Sequence, residues 1–167
     1  MIRSGNTVMF RVLENDTVVD DIVAVSLPNV AMVTTEFPTG LGVINRPSGV
    51  YMEGMEYTMT VRGGAREIER MKRPGEINHT ISFVRDYVDR KGQTIPAGTK
   101  AFITGYFKSA ASMPVRPNEP PEMEMTFEAI RYRQTYEGKE ISLIDKIAEI
   151  WRVDGVDYVA PYKNKLI

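Results

Sequence analysis

Residues 122–129 read Glu-Met-Glu-Met-Thr-Phe-Glu-Ala, with Met123, Met125, Phe127 and Ala129 on alternate positions and Glu122, Glu124, Thr126 and Glu128 between them. A strand repeats its facing about every 2 residues and a helix about every 3.6, so this stretch is a half-buried strand. Its underside is apolar and its top acidic. On that top Glu122 and Glu124 stand about 7 Å apart and Glu128 about 14 Å beyond Glu124, and like charges in one row are unfavourable in isolation. A solvated strand face is the plain reading of the row; selection for acidity is the functional one.

Outward from this strand the same period recurs. Thr99–Lys108 places Ala101, Ile103 and Phe107 on one face, after an expected turn at Pro96-Ala97-Gly98. Ile77, Ile81 and Phe83 share a face with His79. Ser109–Pro121 carries four prolines and reads as an extended loop, because proline cannot donate to a ladder. Ala65–Arg73, with Ile68 and Met71 three apart and Glu69 and Arg73 four apart, reads as a helix of about two turns, ended by Pro74-Gly75. Before it, Val50 and Met52 occupy even positions, whereas Met55, Tyr57, Met59 and Val61 occupy odd ones. The phase flips at Gly54, which predicts a bulge or sharp bend there.

Phe37–Gly49 holds three glycines, two prolines and the apolar residues Leu41, Val43 and Ile44, and reads as a long loop 37–49. Such a loop either folds back on its own core or gains a partner surface. Thr7–Leu13 and Thr17–Val25 form a predicted hairpin across Asn15-Asp16, and Val30–Glu36 a third strand. Near the end of the chain, Ile144, Ile147, Ala148 and Trp151 fit helical spacing, while Trp151 and Val153 before Asp154-Gly155 fit a strand entering a turn. Periodicity leaves both open.

The chain has 167 residues, 43% of them hydrophobic and 26% charged, which points to one domain around a single core and excludes a disordered or collagen-like chain. A formal charge of -1 provides no global basic field for nucleic acid or membrane. There is no cysteine, hence no disulfide, thiolate nucleophile or cysteine metal site. Met1–Asp16 lacks the apolar core of a secretory signal, and the longest uncharged run, Ile22–Thr35, is too short to span a bilayer and contains Pro28; no membrane anchor is expected.

The inventory for chemistry is sparse. His79 is the only histidine, and no serine sits in a nucleophile elbow, so a packed core histidine is expected rather than a catalytic one. Gly40-Leu41-Gly42 lacks the third glycine of a dinucleotide fingerprint. Asp20-Asp21, Asp154 and Asp157 lack calcium-loop spacing, and the carboxylates Glu53 and Glu56 provide only the weak signal that any soluble protein provides. No catalytic residue, cofactor or metal site is expected. Arg131, Tyr132, Arg133 and Tyr136 form the one candidate patch for a small barrel that binds nucleic acid or oligosaccharide.

Val25-Ser26-Leu27-Pro28 leads to Thr35-Glu36-Phe37, and the Gly-rich loop, Met52-Glu53-Gly54-Met55-Glu56 and Gly105-Tyr106-Phe107-Lys108 follow. This order of segments resembles the major tail tube protein of contractile-tailed phages and R-type bacteriocins. The strongest part of the resemblance is C-terminal: Tyr136-Glu137-Gly138-Lys139-Glu140-Ile141, Ile144-Asp145 and Arg152-Val153-Asp154-Gly155-Val156-Asp157. The C-terminal tail Tyr162–Ile167 departs from the family, and Ile77–Pro96 matches it poorly.

The resemblance implies an antiparallel β-sandwich or barrel with one short helix, residues 1–167 forming a single tail-tube domain. It implies hexameric rings that share an inner β-barrel and stack into a tube inside a contractile sheath. It favours strand over helix at Asp154, Gly155, Val156 and Asp157. It gives the loop residues Phe37, Gly40, Leu41, Val43, Ile44, Asn45 and Arg46 a contact role between subunits or rings, and makes Glu122, Glu124 and Glu128 candidates for the lumen wall. The implied partners are further copies of the chain, the tail sheath, tape-measure, baseplate and tail terminator proteins, and transient non-specific DNA. The implied setting is a virion tail made in the host bacterial cytoplasm, or a DNA-free bacteriocin or injection device.

Overall fold

A computed structural model describes residues 3–167; Met1 and Ile2, with the reading made of them, lie outside the described residues. The predicted strand at 122–129 is the first half of the longest-paired element, β9 (Glu122–Tyr136). One edge of β9 is covered by β8 (Thr94–Ala110). The other edge is shared by two strands in succession, β6 (Met55–Arg62) along 122–129 and β10 (Lys139–Asp145) along 131–136. β7 (Glu76–Val88) pairs with β8, and β1 (Arg3–Glu14) pairs with β7 and with the short β2 (Thr17–Val19). β3 (Ile22–Ser26) borders β6, while β11 (Ile150–Val153) and β12 (Val156–Asp157) extend the sheet beyond β10. Among the described residues every pairing is antiparallel, and ten strands form one sheet around the core.

The core is what the alternation places inside. Met123, Met125, Phe127 and Ala129 of β9 face Met55, Tyr57, Met59 and Val61 of β6, all buried. Ile77, His79 and Ile81 of β7 and Ala101 and Ile103 of β8 complete it. Helix α1 (Arg66–Arg70) closes one end by inserting Ile68, with Met71 just beyond it. Burying each of these large side chains contributes about 1.5–3 kcal/mol. Gly105 is obligatory: a Cβ there would lie 2.5 Å from the Glu128 carbonyl oxygen and 3.1 Å from the Tyr57 ring. Opposite Thr104 and Gly105, β9 carries an extra residue, Ile130, and the buried phase passes from odd positions to Tyr132. A bulge of this kind bends its strand, so the two halves of β9 belong to differently directed parts of the sheet.

Several expectations are corrected. The predicted loop 37–49 is a β-hairpin, β4 (Met32–Thr39) and β5 (Gly42–Met52), forming a separate two-stranded sheet. Pro38 and Pro47 are tolerated because both strands of a ribbon are edge strands, which alone accept proline. Gly54 is not a bulge within one strand; it lies in the two-residue break where β5 leaves the ribbon and β6 enters the main sheet. The phase flips because the strand on each side of Gly54 belongs to a different sheet. Gly98 and its neighbours form no turn: β8 begins at Thr94, and Pro96 lies beyond Thr99, where pairing with β9 ends, so its missing N–H leaves no ladder bond unmade. The turn sits instead at Asp89, whose Oδ1 accepts hydrogen bonds from the Lys91 and Gln93 amides at 2.8 and 2.9 Å.

The predicted strand Thr17–Val25 is split in two at Asp20-Asp21, where Asp21 adopts a left-handed φ of 64°. Ser109 and Ala110 belong to β8, so the proline-rich connection without regular structure runs from 111 to 121. A second short helix, α2 (Ala160–Lys163), joins the expected one, with Pro161 in its first turn. Glu69 pairs with Lys72 at 3.1 Å rather than with Arg73. Arg73 turns inward to the buried Glu14, 2.5 Å away.

Candidate assembly surface

The β4–β5 ribbon is seated at its base, where Met52 packs on the core and Ser48–Tyr51 lie beside Trp151 and Tyr162, and its distal part is uncovered. Its eight-residue first strand reaches about 26 Å at roughly 3.3 Å per residue. Leu41 at the tip is fully exposed, and Val43 and Ile44 are 64% and 54% exposed. Pairing places Phe37 opposite Ile44 and Pro38 opposite Val43, so the two apolar pairs lie on opposite faces. Arg46, opposite Thr35, shares the face of Phe37 and Ile44; Asn45, opposite Glu36, shares the face of Pro38 and Val43. Gly40 sits in the turn, held where the Thr39 hydroxyl donates to the Gly42 carbonyl at 2.8 Å. An isolated two-stranded hairpin is marginal in water, and this one exposes apolar side chains on both faces and at its tip.

Glu122, Glu124 and Glu128 lie on the face opposite the buried methionines, as their spacing required. The row is less bare than the sequence implied. Arg62 of β6 stands 3.6 Å from Glu122. Lys108 of β8 donates to Glu56 and lies 3.9 Å from Glu128, so one cation bridges the cross-strand pair of acids. Both neighbours hold the Lys108 ammonium above its ordinary range, the Glu56 hydrogen bond most strongly. Among the described residues Glu124 enters no ion pair and faces Thr60. Gly54 touches the same row: a Cβ there would lie 2.6 Å from Glu128 Oε1. No spacing in the sequence announced Lys108 as the bridge, because 52 residues separate it from Glu56.

Asp154 and Gly155 occupy the two-residue turn between β11 and β12, with φ of 49° and 81°, the left-handed pair that a tight hairpin demands. Val156 pairs with Val153, and Asp157 ties the segment leading into α2 back to β11. Its Oδ1 accepts from the Val159 amide at 3.0 Å and the Trp151 amide at 3.4 Å, which hold its carboxyl below the usual range, Val159 first. These residues are structural within the chain, and strand rather than helix is the outcome at 150–157.

The patch Arg131, Tyr132, Arg133 and Tyr136 is not one surface. Tyr132 is buried, Arg131 stands 3.4 Å from Asp145, and Arg133 is committed to Glu140 at 3.1 Å. Glu140 also accepts two bonds from Arg152, at 2.8 and 3.2 Å, and these lower its carboxyl most. Cations already held by carboxylates offer little to a polyanion. His79 is likewise enclosed in the core, between Tyr57, Met71 and Phe127.

Comparison with known proteins agrees with this architecture. A chain of the sheath-tube complex of an extracellular contractile injection system, PVC, in its extended state superposes with a TM-score of 0.53 at 18% identity, covering 75% of this chain and 87% of that one. A chain of the PVC sheath/tube terminator gives 0.54 at 15% identity, covering 77% and 94%. The anti-feeding prophage cap, a tube terminating cap, gives 0.52 at 16%, covering 75% and 87%. At such identities the likeness is one of fold. No curated protein sequence matches the chain. The family model for phage tail tube protein FII matches residues 9–166, nearly the whole chain. The protein therefore belongs to the phage tail tube protein FII family, and its role is that of a structural tail-tube component.

Proposed function

We propose that residues 1–167 act as one tail-tube domain, six copies of which form a ring, with rings stacking into a hollow conduit inside a contractile sheath. The observation that carries this reading is the β4–β5 arm, whose apolar tip and faces find no cover in the chain itself. Burial of Leu41, Val43 and Ile44 against neighbours contributes about 4–9 kcal/mol before ordering costs. Phe37, Gly40, Asn45 and Arg46 belong to the same contact. Unpaired strand edges are the hazard of an open sheet, and closure with neighbouring copies into a shared inner barrel removes them.

Sheath and terminator proteins are the nearest partners in this reading, since the matched chains come from assemblies of those kinds; tape-measure and baseplate proteins bound the tube at its core and end. The face bearing Glu122, Glu124 and Glu128 lines the lumen, where negative charge keeps DNA sliding instead of sticking. The assembly belongs to a virion, its subunits made in the host cytoplasm, and its work is structural rather than enzymatic. A second reading, the tube of a DNA-free contractile bacteriocin or injection device, is favoured by the likeness to injection-system chains. A monomeric ligand-binding barrel is disfavoured by the committed arginines described above.

Negative-stain electron microscopy of the purified protein over a concentration series, with light scattering, tests the proposal. Rings or hollow tubes with six-fold end views are expected. A monomer at every concentration, even when seeded with tail baseplates, overturns it.

A further inference from the structure

We propose that the arm of one copy docks, by its Glu36/Pro38 face, in the groove that β1, β7 and β8 form on the outer side of a second copy's sheet. This rests on the tube reading above and names the surface that receives the arm. The groove is about 780 Å³ and is floored by three cross-strand rows. Met9 and Val84 make an apolar row. Arg11, Ser82 and Lys100 make a basic one, and Leu13, Thr80 and Phe102 a second apolar one. Arg11, Lys100 and Met9 are exposed, and neither cation enters an ion pair among the described residues.

Two further charges face the groove, Arg133, which is paired, and Glu137, which keeps its negative charge beside Gly98, outside the Arg11/Lys100 row. The Arg133 guanidinium lies 5.3 Å over the Phe102 ring and is held by Glu140, and Glu137 accepts the Gly98 amide at 2.5 Å. A net positive row between two apolar rows remains.

The arm face carries the complementary sequence of rows. Glu36 and Asn45 form an acidic row, and Pro38 with Val43 forms an apolar row one step nearer the tip. On both surfaces the charged and apolar rows are two residues apart, about 7 Å, so one register sets Glu36 on Arg11 and Lys100 while Pro38 and Val43 cover Leu13 and Phe102. The opposite face, with Phe37, Ile44 and the cation Arg46, has the wrong charge for this groove. The partner is a second copy because the arm and groove chemistry both belong to this chain, and a head-to-tail contact of two different patches propagates rather than closing as a dimer.

The test is a charge exchange in assembled tubes. Glu36→Lys is expected to lower the sedimenting fraction about tenfold or more, as like charges at an interface do, and Lys100→Glu with Arg11→Glu in that background restores most of it. Unchanged assembly in Glu36→Lys, or no recovery in the triple variant, overturns the docking assignment while wild-type tubes still stand. If the wild type itself forms no tubes, the tube reading fails separately, and cross-linking decides the docking. The chain contains no cysteine, so a disulfide formed between Val43→Cys chains and Leu13→Cys chains reports this contact alone. Heterodimers from that pair, several-fold over the control pair Ile44→Cys with Leu13→Cys, support the docking; equal yields from both pairs overturn it. Circular dichroism of each variant confirms that the sheet is intact.

Discussion

Tyr57 Oη lies 2.8 Å from His79 Nδ1, and Met71 Sδ lies 3.4 Å from the other ring nitrogen, Nε2. A thioether only accepts, so both contacts are hydrogen bonds when Nε2 carries the proton and the Tyr57 hydroxyl donates to Nδ1. Burial keeps the ring neutral at pH 7, one polar pair satisfied inside a cluster where Phe127 stacks on Tyr57 at 5.1 Å and meets His79 edge-on at 5.0 Å. Burial lowers the imidazole from 6.5 to about 4, with the Arg73 guanidinium acting in the same direction, and burial raises the Tyr57 hydroxyl.

Stability is expected to fall with acid through this pair. The unfolded ring takes up a proton near pH 6.5 and the folded ring only near pH 4, so the contribution is full above 6.5 and is lost as the pH falls between these values. The loss is about 3 kcal/mol. Urea midpoints at pH 7, 5.5 and 4 measure it; an identical pH slope in His79→Gln would exclude His79 as the cause.

Arg73→Met leaves the Glu14 carboxylate, 6% exposed, without its cation. Unfolding free energy drops by about 2 kcal/mol, and adding Glu14→Gln recovers part of it, because an unpaired buried charge costs more than a neutral amide. Additive losses in the double variant would show that the pair is not coupled.

Gly105→Ala forces a methyl group against the Glu128 carbonyl and the Tyr57 ring. Destabilisation by about 3 kcal/mol is expected, against less than about 0.5 kcal/mol for Gly40→Ala at the open arm tip. Comparable melting temperatures for the two variants would contradict this packing.

Replacing Leu41, Val43 and Ile44 together with serine changes the melting temperature little, because all are exposed in the single chain. The proposed assembly is nevertheless lost. Full-length tubes from the triple variant in electron micrographs would remove the arm from the contact.

Glu124 is the cleanest probe of the acidic face, since reversal at Glu122 or Glu128 also breaks contacts with Arg62 or Lys108. Glu124→Lys is expected to leave tubes intact and to slow DNA ejection from reconstituted tails. Normal ejection kinetics would place this face elsewhere than the lumen.

Local sequence is enough to place the strands that alternate. Residues 122–129, the phase break at Gly54 and the Asn15-Asp16 and Asp154-Gly155 turns were legible because period and turn chemistry are local properties. It also marked Leu41, Val43 and Ile44 as apolar residues in search of cover, but concealed the ribbon they sit in. Proline and glycine read as loop signals, and only edge geometry reveals that a lone ribbon tolerates them.

Tertiary structure alone decided which charges are free. Lys108 reaches Glu56 across 52 residues, a separation that no spacing rule spans, and Arg133 and Arg152 converge on Glu140 from the strands on either side of it. Antiparallel register brings such residues together, and register is a property of the whole sheet rather than of any strand within it.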